Sequence, residues 1–426
     1  MKPFYEDIDW DNYKLYFEDQ LNEYLELSFK ICREKKFEIL NYKNFIKKNL
    51  FYYLSEFIFC EYLIKNKIYW PEYLEKEYEK HKYIALIPKI KIPLCIFKKE
   101  KIDFGFMHRF SHLTKNLNFD YKIENIEFNN ILKNNSFNYI YEFQLADLDN
   151  IKYKLNKLLT FLNINYEIYK EIRCNVKTIY SSCHKMLNPI FLFFTTFLQE
   201  IKNAKVILSQ AGLFHGTIRY SHVAELENLI ADEYFSWGES YNHKNYKLVG
   251  SQYFNRKLTL NKNYCEQIYL NDIPLKNYPT PLSEISSMSY LQFMEYFKKY
   301  DYQIIQEILP QCKKPLLKSK HVSYSFYKKI LKDHKILKLL GTSNVDLEAT
   351  YCDRNFLMYY STAMIELYNA QSAQIIPVYN ENSITLHESE AKKLKNIFTE
   401  KDYNKKDLAI KKYVNDNFKV LSLDNI

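Results

Sequence analysis

The chain predicts an α/β protein, a parallel sheet covered by helices, and three observations predict it. Between Pro315 and Tyr379 short apolar runs alternate with helical patterns, the rhythm of βαβ units. Earlier, Lys205–Gln210 (KVILSQ) reads as a buried strand and runs straight into a cluster of glycines. Only six glycines occur in 426 residues, and four of them, Gly212, Gly216, Gly238 and Gly250, fall between Ser209 and Phe254. Glycine is needed where φ is positive or where a backbone must come close to another group. Such a cluster after a strand points to loops at strand ends, where α/β proteins bind ligands.

Taken in order, the first 80 residues are expected to be helical, with Leu21, Leu25 and Phe29 and then Leu50, Leu54 and Ile58 at four-residue spacing. From Tyr83 the runs YIALIP and IPLCIF, and later FNYIYEF (Phe137–Phe143), have strand character. Asp147 or Asp149 is placed to cap a helix whose apolar face is Leu155, Leu158, Leu159 and Leu162. Helices are expected at Ser221–Ala231 and Ser289–Leu309, a short strand at Lys247–Gly250, and a Pro-bearing break at Asn271–Pro281. The alternation then reads Pro315–Lys318 apolar, Tyr324–Lys332 helix, Ile336–Leu340 strand and Asp346–Tyr351 helix. It continues with Phe356–Tyr360 strand, Thr362–Ala370 helix and Ala373–Tyr379 strand. Ser389–Asn415 is a charged amphipathic helical region. The expected domain boundary lies just after Gly250, giving domains 1–250 and 251–426.

Composition excludes several classes. A hydrophobic content of 47% and an aromatic content of 17% suit a globular chain rather than a disordered one. The net charge of +9 is read first as a lysine-rich solvated surface, and it also fits a phosphorylated substrate, nucleic acid or an anionic membrane face. No block of like charges and no nucleic-acid motif favours nucleic acid. The eight cysteines include no CxxC, as for reduced thiols in the cytosol. The start, MKPFYEDIDWDNY, lacks a leader's apolar stretch, and the runs Phe51–Ile64 and Pro189–Leu198 are too short or interrupted to span a bilayer. The expectation is a cytoplasmic protein, with peripheral docking on the inner membrane left open.

Chemistry concentrates in two places. In Phe356–Glu366 (FLMYYSTAMIE) a strand gives way to Ser361 and Thr362 at a helix N-terminus, where free backbone N–H groups and the helix dipole suit phosphate. Glu366, one turn in, could reach a ribose hydroxyl. The plain alternative is that Ser361 is an N-cap. The second place is Gly212-Leu213-Phe214-His215-Gly216, followed by a helix, then Ser236-Trp237-Gly238-Glu239, then Leu248-Val249-Gly250.

Together these segments resemble the GT-B glycosyltransferases and related transferases of bacterial surface polysaccharide assembly. That group shows a glycine-rich loop after a strand, an acidic helix, an "AD.y.sWG" segment, "vvG" at the domain junction and an "sST..iEa" phosphate loop. Here the counterparts are Ala231-Asp232, Tyr234, Ser236-Trp237-Gly238, Leu248-Val249-Gly250, and Tyr360-Ser361-Thr362 with Ile365-Glu366. Ala211 stands where many relatives carry His, and Lys318-Ser319-Lys320-His321 lacks the Pro of their "KxHP" segment. The resemblance covers Val206–Val378.

It implies a GT-B-like fold, two Rossmann-like domains facing a cleft, with a helical N-terminal elaboration and a C-terminal helix crossing back to the first domain. It implies metal-independent transfer of a sugar from a nucleotide-sugar donor to a surface glycan or lipid-linked acceptor, with no cofactor. Donor contacts are expected from Gly212, Gly216, Lys318, Lys320, His321, Ser361, Thr362 and Glu366. His215 is the first choice for the base, with Glu225 and Glu239 as alternates. A CDP-polyol phosphate transferase and a non-catalytic nucleotide- or glycan-binding protein of the same architecture are the competing readings. His108 and His112 have i, i+4 spacing but no third ligand, and the two DxD triplets, Asp7–Asp9 and Asp147–Asp149, are read as terminal and capping.

Overall fold

A computed structural model describes residues 8–66, 95–98, 101–104, 151–170, 178–182, 189–210, 212–217, 221–241, 243–255, 258–269, 307–318, 338–340, 350–358, 360, 362–378 and 386–421. The expected elements at Tyr83, Phe137–Phe143, Asn271–Pro281 and Tyr324–Lys332, and nearly all of Ser289–Leu309, lie outside these residues.

Two long helices open the chain, α1 (Trp10–Lys35) and α2 (Lys43–Lys65). Asp9 of the first DxD triplet is the N-cap of α1 and accepts from the Asn12 amide at 3.1 Å. This satisfies one of the donors a helix start leaves unpaired. Lys36 closes the helix in the left-handed region, φ 56°. A short hairpin of β1 (Cys95–Lys98) and β2 (Lys101–Phe104) precedes α3 (Ile151–Tyr169), in which Leu155, Leu159 and Leu162 are buried.

The first parallel sheet has the order β3-β4-β5-β6: β3 (Thr178–Ser182), β4 (Lys205–Ser209), β5 (Glu233–Ser236) and β6 (Tyr246–Leu248). Helix α4 (Pro189–Lys202) connects β3 to β4, and α5 (His222–Ile230) connects β4 to β5. Helix α2 packs on both α4 and α5, so the helical N-terminus forms an outer layer over this sheet. Asn49 donates to Thr196 at 2.8 Å across the α2–α4 contact, and buried Lys48 pairs with Glu200. Residues 249 and 250 leave β6 because both amides bond the Ser236 carbonyl and Gly250 takes φ 95°. The expected strand therefore ends two residues early.

After β7 (Thr259–Leu260), the second sheet gathers β8 (Glu266–Tyr269), β9 (Pro315–Lys318), β10 (Lys338–Leu340), β12 (Arg354–Leu357) and β13 (Gln374–Pro377). Their spatial order is β10-β9-β8-β12-β13, and every pairing is parallel. The chain winds outward from β8 in one direction, then returns to the other side of β8. The topological switch point therefore lies between β8 and β12, the arrangement that opens a ligand crevice at strand C-termini. Thr350 and Tyr351 are expected to end a helix but form β11 (Thr350–Tyr351), which pairs with β7 and so satisfies their backbone groups between strands. Helix α6 (Ala363–Tyr368) is shorter than expected, and two helices, α7 (Glu388–Thr399) and α8 (Tyr403–Asn417), complete the fold.

Beyond α8 the chain returns to the first sheet. Phe418 bridges Gly238, and Val420 bridges Ser251. The Lys419 amide donates to the Trp237 carbonyl at 3.0 Å, and the Ser251 amide donates to the Lys419 carbonyl at 2.8 Å. This strap corrects the reading of two glycines as ligand loops. A Cβ on Gly238 would fall on the Asn417 carbonyl oxygen, and one on Gly250 would fall on that of Val420. Gly238 and Gly250 make room for the chain's own C-terminal segment.

Gly238→Ala and Gly250→Ala are each expected to cost about 2–4 kcal/mol, from overpacking and, at Gly250, the positive φ as well. Chemical denaturation measures this. Ending the chain at Asn417 is expected to lower the baseline stability and shrink the further loss from Gly250→Ala. An undiminished loss would show that φ, and not the strap, governs that position.

Candidate functional site

The loops leaving the C-terminal ends of both sheets meet. Leu213, after β4, and Trp237, after β5, share one apolar cluster with Leu357, Tyr360 and Met364, at and beyond the end of β12. Gln210 ties the first two loops together. Its side-chain carbonyl accepts from the Trp237 amide at 2.9 Å and the Ser236 hydroxyl at 3.2 Å, and its amide donates to the Gly212 carbonyl at 2.9 Å. Every polar atom of this buried side chain therefore fixes a strand end.

Behind the glycine turn lies a buried relay. His243 Nε2 bonds Glu227 at 2.6 Å, and its Nδ1 bonds the Ser240 hydroxyl at 2.8 Å. The imidazole stacks on Tyr234 with ring centroids 3.5 Å apart. Burial raises the Glu227 carboxyl above its ordinary value, against the pull of His243. One Glu227 oxygen, Oε1, has no hydrogen-bond partner among the described residues. A Cβ on Gly216 would sit 3.1 Å from Ser240 Oγ, and the Tyr241 amide donates to the Gly216 carbonyl at 2.8 Å. The relay thus holds residues 240–241 against the turn and leaves no open approach to Ser240, so it positions the turn rather than offering a nucleophile.

A second polar cluster joins the β5–β6 loop to the C-terminal helices. Glu390, 2% exposed, accepts from Tyr413 and from Tyr360 (3.3 Å) on one oxygen, and from Tyr241 (3.3 Å) on the other. Lys393 lies 3.4 Å from the second oxygen, and it donates to the Tyr241 hydroxyl at 2.8 Å. Tyr241 also stacks on His387, 4.3 Å between centroids with the ring planes nearly parallel. Burial pushes the Glu390 carboxyl up, while Lys393 and the tyrosines pull it down. Tyr241 is pushed up to about 12, chiefly by burial. The sequence reading missed Gln210, Glu227, His243, Glu390 and Lys393. None stands in a motif, because their partners lie up to 154 residues away in sequence.

The expected site residues are distributed as follows. Gly212 and His215 lie on the turn after β4, and Gly216 ends it. Glu225 is exposed on the first turn of α5, where desolvation raises its carboxyl against Lys244 and Lys14. Glu239 is exposed and accepts from Tyr241 at 3.0 Å and Lys393 at 3.3 Å, tying it to the Glu390 cluster. Lys318 ends β9, beside β8. Lys320, His321 and Ser361 lie outside the described residues. Thr362 is the residue preceding α6, and its hydroxyl makes no capping bond; Glu366 is in the first turn. With six residues, α6 has a smaller dipole than the sequence reading assumed.

Among the described residues no group of three or more His, Cys, Asp or Glu could hold a metal, and no helix is long and apolar enough to cross a membrane. No protein-family model and no curated protein matches the chain.

The buried ionisable groups set a pH dependence. Glu227 and Glu390 titrate above the usual 4.5 when folded, so their stability contribution is complete below that value and falls as pH rises through their raised pKa values. His222 is fully buried, bonds Tyr13 at 2.6 Å and titrates well below 6.5. Its contribution is complete above 6.5 and is lost as pH falls through that value. Glu390→Gln is expected to lessen the decline on the alkaline side, and His222→Asn the decline on the acid side, in denaturation curves taken from pH 4.5 to 9. Unchanged pH profiles in both variants would remove these groups from the account.

Proposed function

We propose that the protein transfers a glycosyl unit from a nucleotide-activated donor to a surface glycan, with the donor held between β8 and β12. The observation that carries this reading is the strand order β10-β9-β8-β12-β13. A switch point of this kind opens a crevice outside the strand C-termini that suits a nucleotide. The residues that follow β12 run into Ser361 and Thr362, and the Thr362 hydroxyl, which makes no capping bond, would suit a phosphate oxygen. A second parallel sheet whose C-terminal loops meet that edge, and a C-terminal strap that rejoins it, favour a GT-B-like arrangement over a lone nucleotide-binding domain.

In this reading departure of the nucleotide leaves growing negative charge on its terminal phosphate. The backbone amides of Thr362 and Ala363, the Thr362 hydroxyl and Lys318 stabilise that charge. His215 takes the proton from the acceptor hydroxyl, with Glu225 on the neighbouring helix as the alternate base. Glu239 serves the Glu390 cluster through Tyr241 and Lys393, which makes it a positioning residue rather than the base.

The test is thermal denaturation with CMP, CDP, UDP, GDP and ADP, with and without magnesium. One nucleotide is expected to stabilise the protein independently of metal, by about 2.7 kcal/mol at a hundred times its Kd. Ser361→Ala with Thr362→Ala is expected to abolish the shift. His215→Ala is expected to keep it while slowing turnover roughly 10²–10⁴-fold. Absence of a shift with every nucleotide, in folded protein, would overturn the reading.

A further inference from the structure

A pocket of about 550 Å³ lies where the end of α6 meets the second half of α8. Its walls are Tyr368, Asn369, Gln371, Lys411, Lys412 and Asn415. Helix α6 starts beyond the C-terminal end of β12 and finishes before the start of β13, so its last turn lies opposite the nucleotide crevice. The size is that of a pocket for a small organic ligand.

Its walls are partly fixed and partly uncommitted. The Tyr368 ring stands edge-on to Phe254, 5.7 Å between centroids, and its hydroxyl donates to Asn415 at 3.2 Å. Asn369 donates to the Tyr253 and Phe254 carbonyls, which orients its amide and leaves its own oxygen available. Lys411 is committed to the Ala373 carbonyl at 2.7 Å and to Asp407 at 2.9 Å. Lys412 and Gln371 are exposed and have no hydrogen-bond or ion-pair partner among the described residues.

This donor set discriminates between ligand classes. The Asn369 and Asn415 side-chain oxygens can accept from hydroxyls, and Gln371 can both donate and accept, as vicinal hydroxyls require. A held aromatic ring offers an apolar face to the C–H side of a pyranose. Lys412 adds one ammonium with no partner among the described residues, which can pair with a single carboxylate. We infer that this pocket is a binding site for an acidic oligosaccharide, one whose carboxylate pairs with Lys412 while its hydroxyls bond Gln371, Asn369 and Asn415. The inference stands on the pocket and does not depend on the transferase reading.

Calorimetric titration of the full chain with oligogalacturonate and, separately, with maltohexaose tests it. Oligogalacturonate is expected to bind more tightly than the neutral sugar, and Lys412→Met to weaken it roughly ten- to hundredfold, the range for a hydrogen bond to a charged group. Thermal denaturation of Lys412→Met is expected to match the wild type, since the side chain is exposed. Lys405→Met, on the first turn of α8, removes an equal charge elsewhere and is expected to leave binding intact. No binding, equal affinity for both sugars, an unaffected Lys412→Met variant, or equal losses in both lysine variants would each overturn the assignment. The nucleotide shift measured on the same samples is independent of that outcome.

Discussion

The structure depends on one close approach, the entry of residues 418–420 between the loop after β5 and the loop after β6. Backbone-to-backbone contact at this distance needs positions without side chains, and Gly238 and Gly250 supply them. The bonds gained are ordinary amide–carbonyl bonds, each worth about 1 kcal/mol net. Their consequence is larger than their energy. The last segment of the chain, which follows α7 and α8 packed beside the second sheet, is fixed to the loops of the first. The two sheets are therefore joined twice, once through residues 249–266 and once through the strap.

That double attachment explains where the buried ionisable groups lie. Burying a carboxyl costs several kcal/mol unless hydrogen bonds replace the lost water. Glu390 meets the requirement with three tyrosine hydroxyls and Lys393, drawn from the β5–β6 loop, the loop after β12 and both terminal helices. A cluster whose members come from four elements is complete only when all four are in place. It ties the arrangement of the loops to the arrangement of the strap. Glu227 and His243 do the same more locally, holding the glycine turn from behind.

Much of the fold was legible because it rests on local signals. KVILSQ became β4, Ser221 capped α5 as a serine at that position should, and the C-terminal alternation gave β9, β10, β12, α6 and β13 with shifts of a few residues. Strand β8 was not legible. Its sequence, EQIY, has no apolar run, because Glu266 takes the amides of Lys313 and Lys314 and the Arg354 guanidinium instead of facing water. Its strand character exists only once β9 and β12 flank it. The glycines were seen but misattributed in part: sequence shows that a backbone approaches something, and only the fold shows that at Gly238 and Gly250 it is the chain's own end.

The same reasoning separates scaffold from site. Gln210, Glu227, His243 and Glu390 have nearly all their polar atoms engaged within the protein, and engaged groups hold shape rather than bind. Among the described residues at the loop edge, the Thr362 hydroxyl makes no capping bond, and it follows β12 beside the switch point of the second sheet. A site of this kind needs few groups if they are held rigidly, because preorganised amides need no reorganisation as charge develops. The dense polar framework behind the loops and the thin set of uncommitted groups in front of them are thus two sides of one design. The framework confines the loops at the C-terminal ends of both sheets.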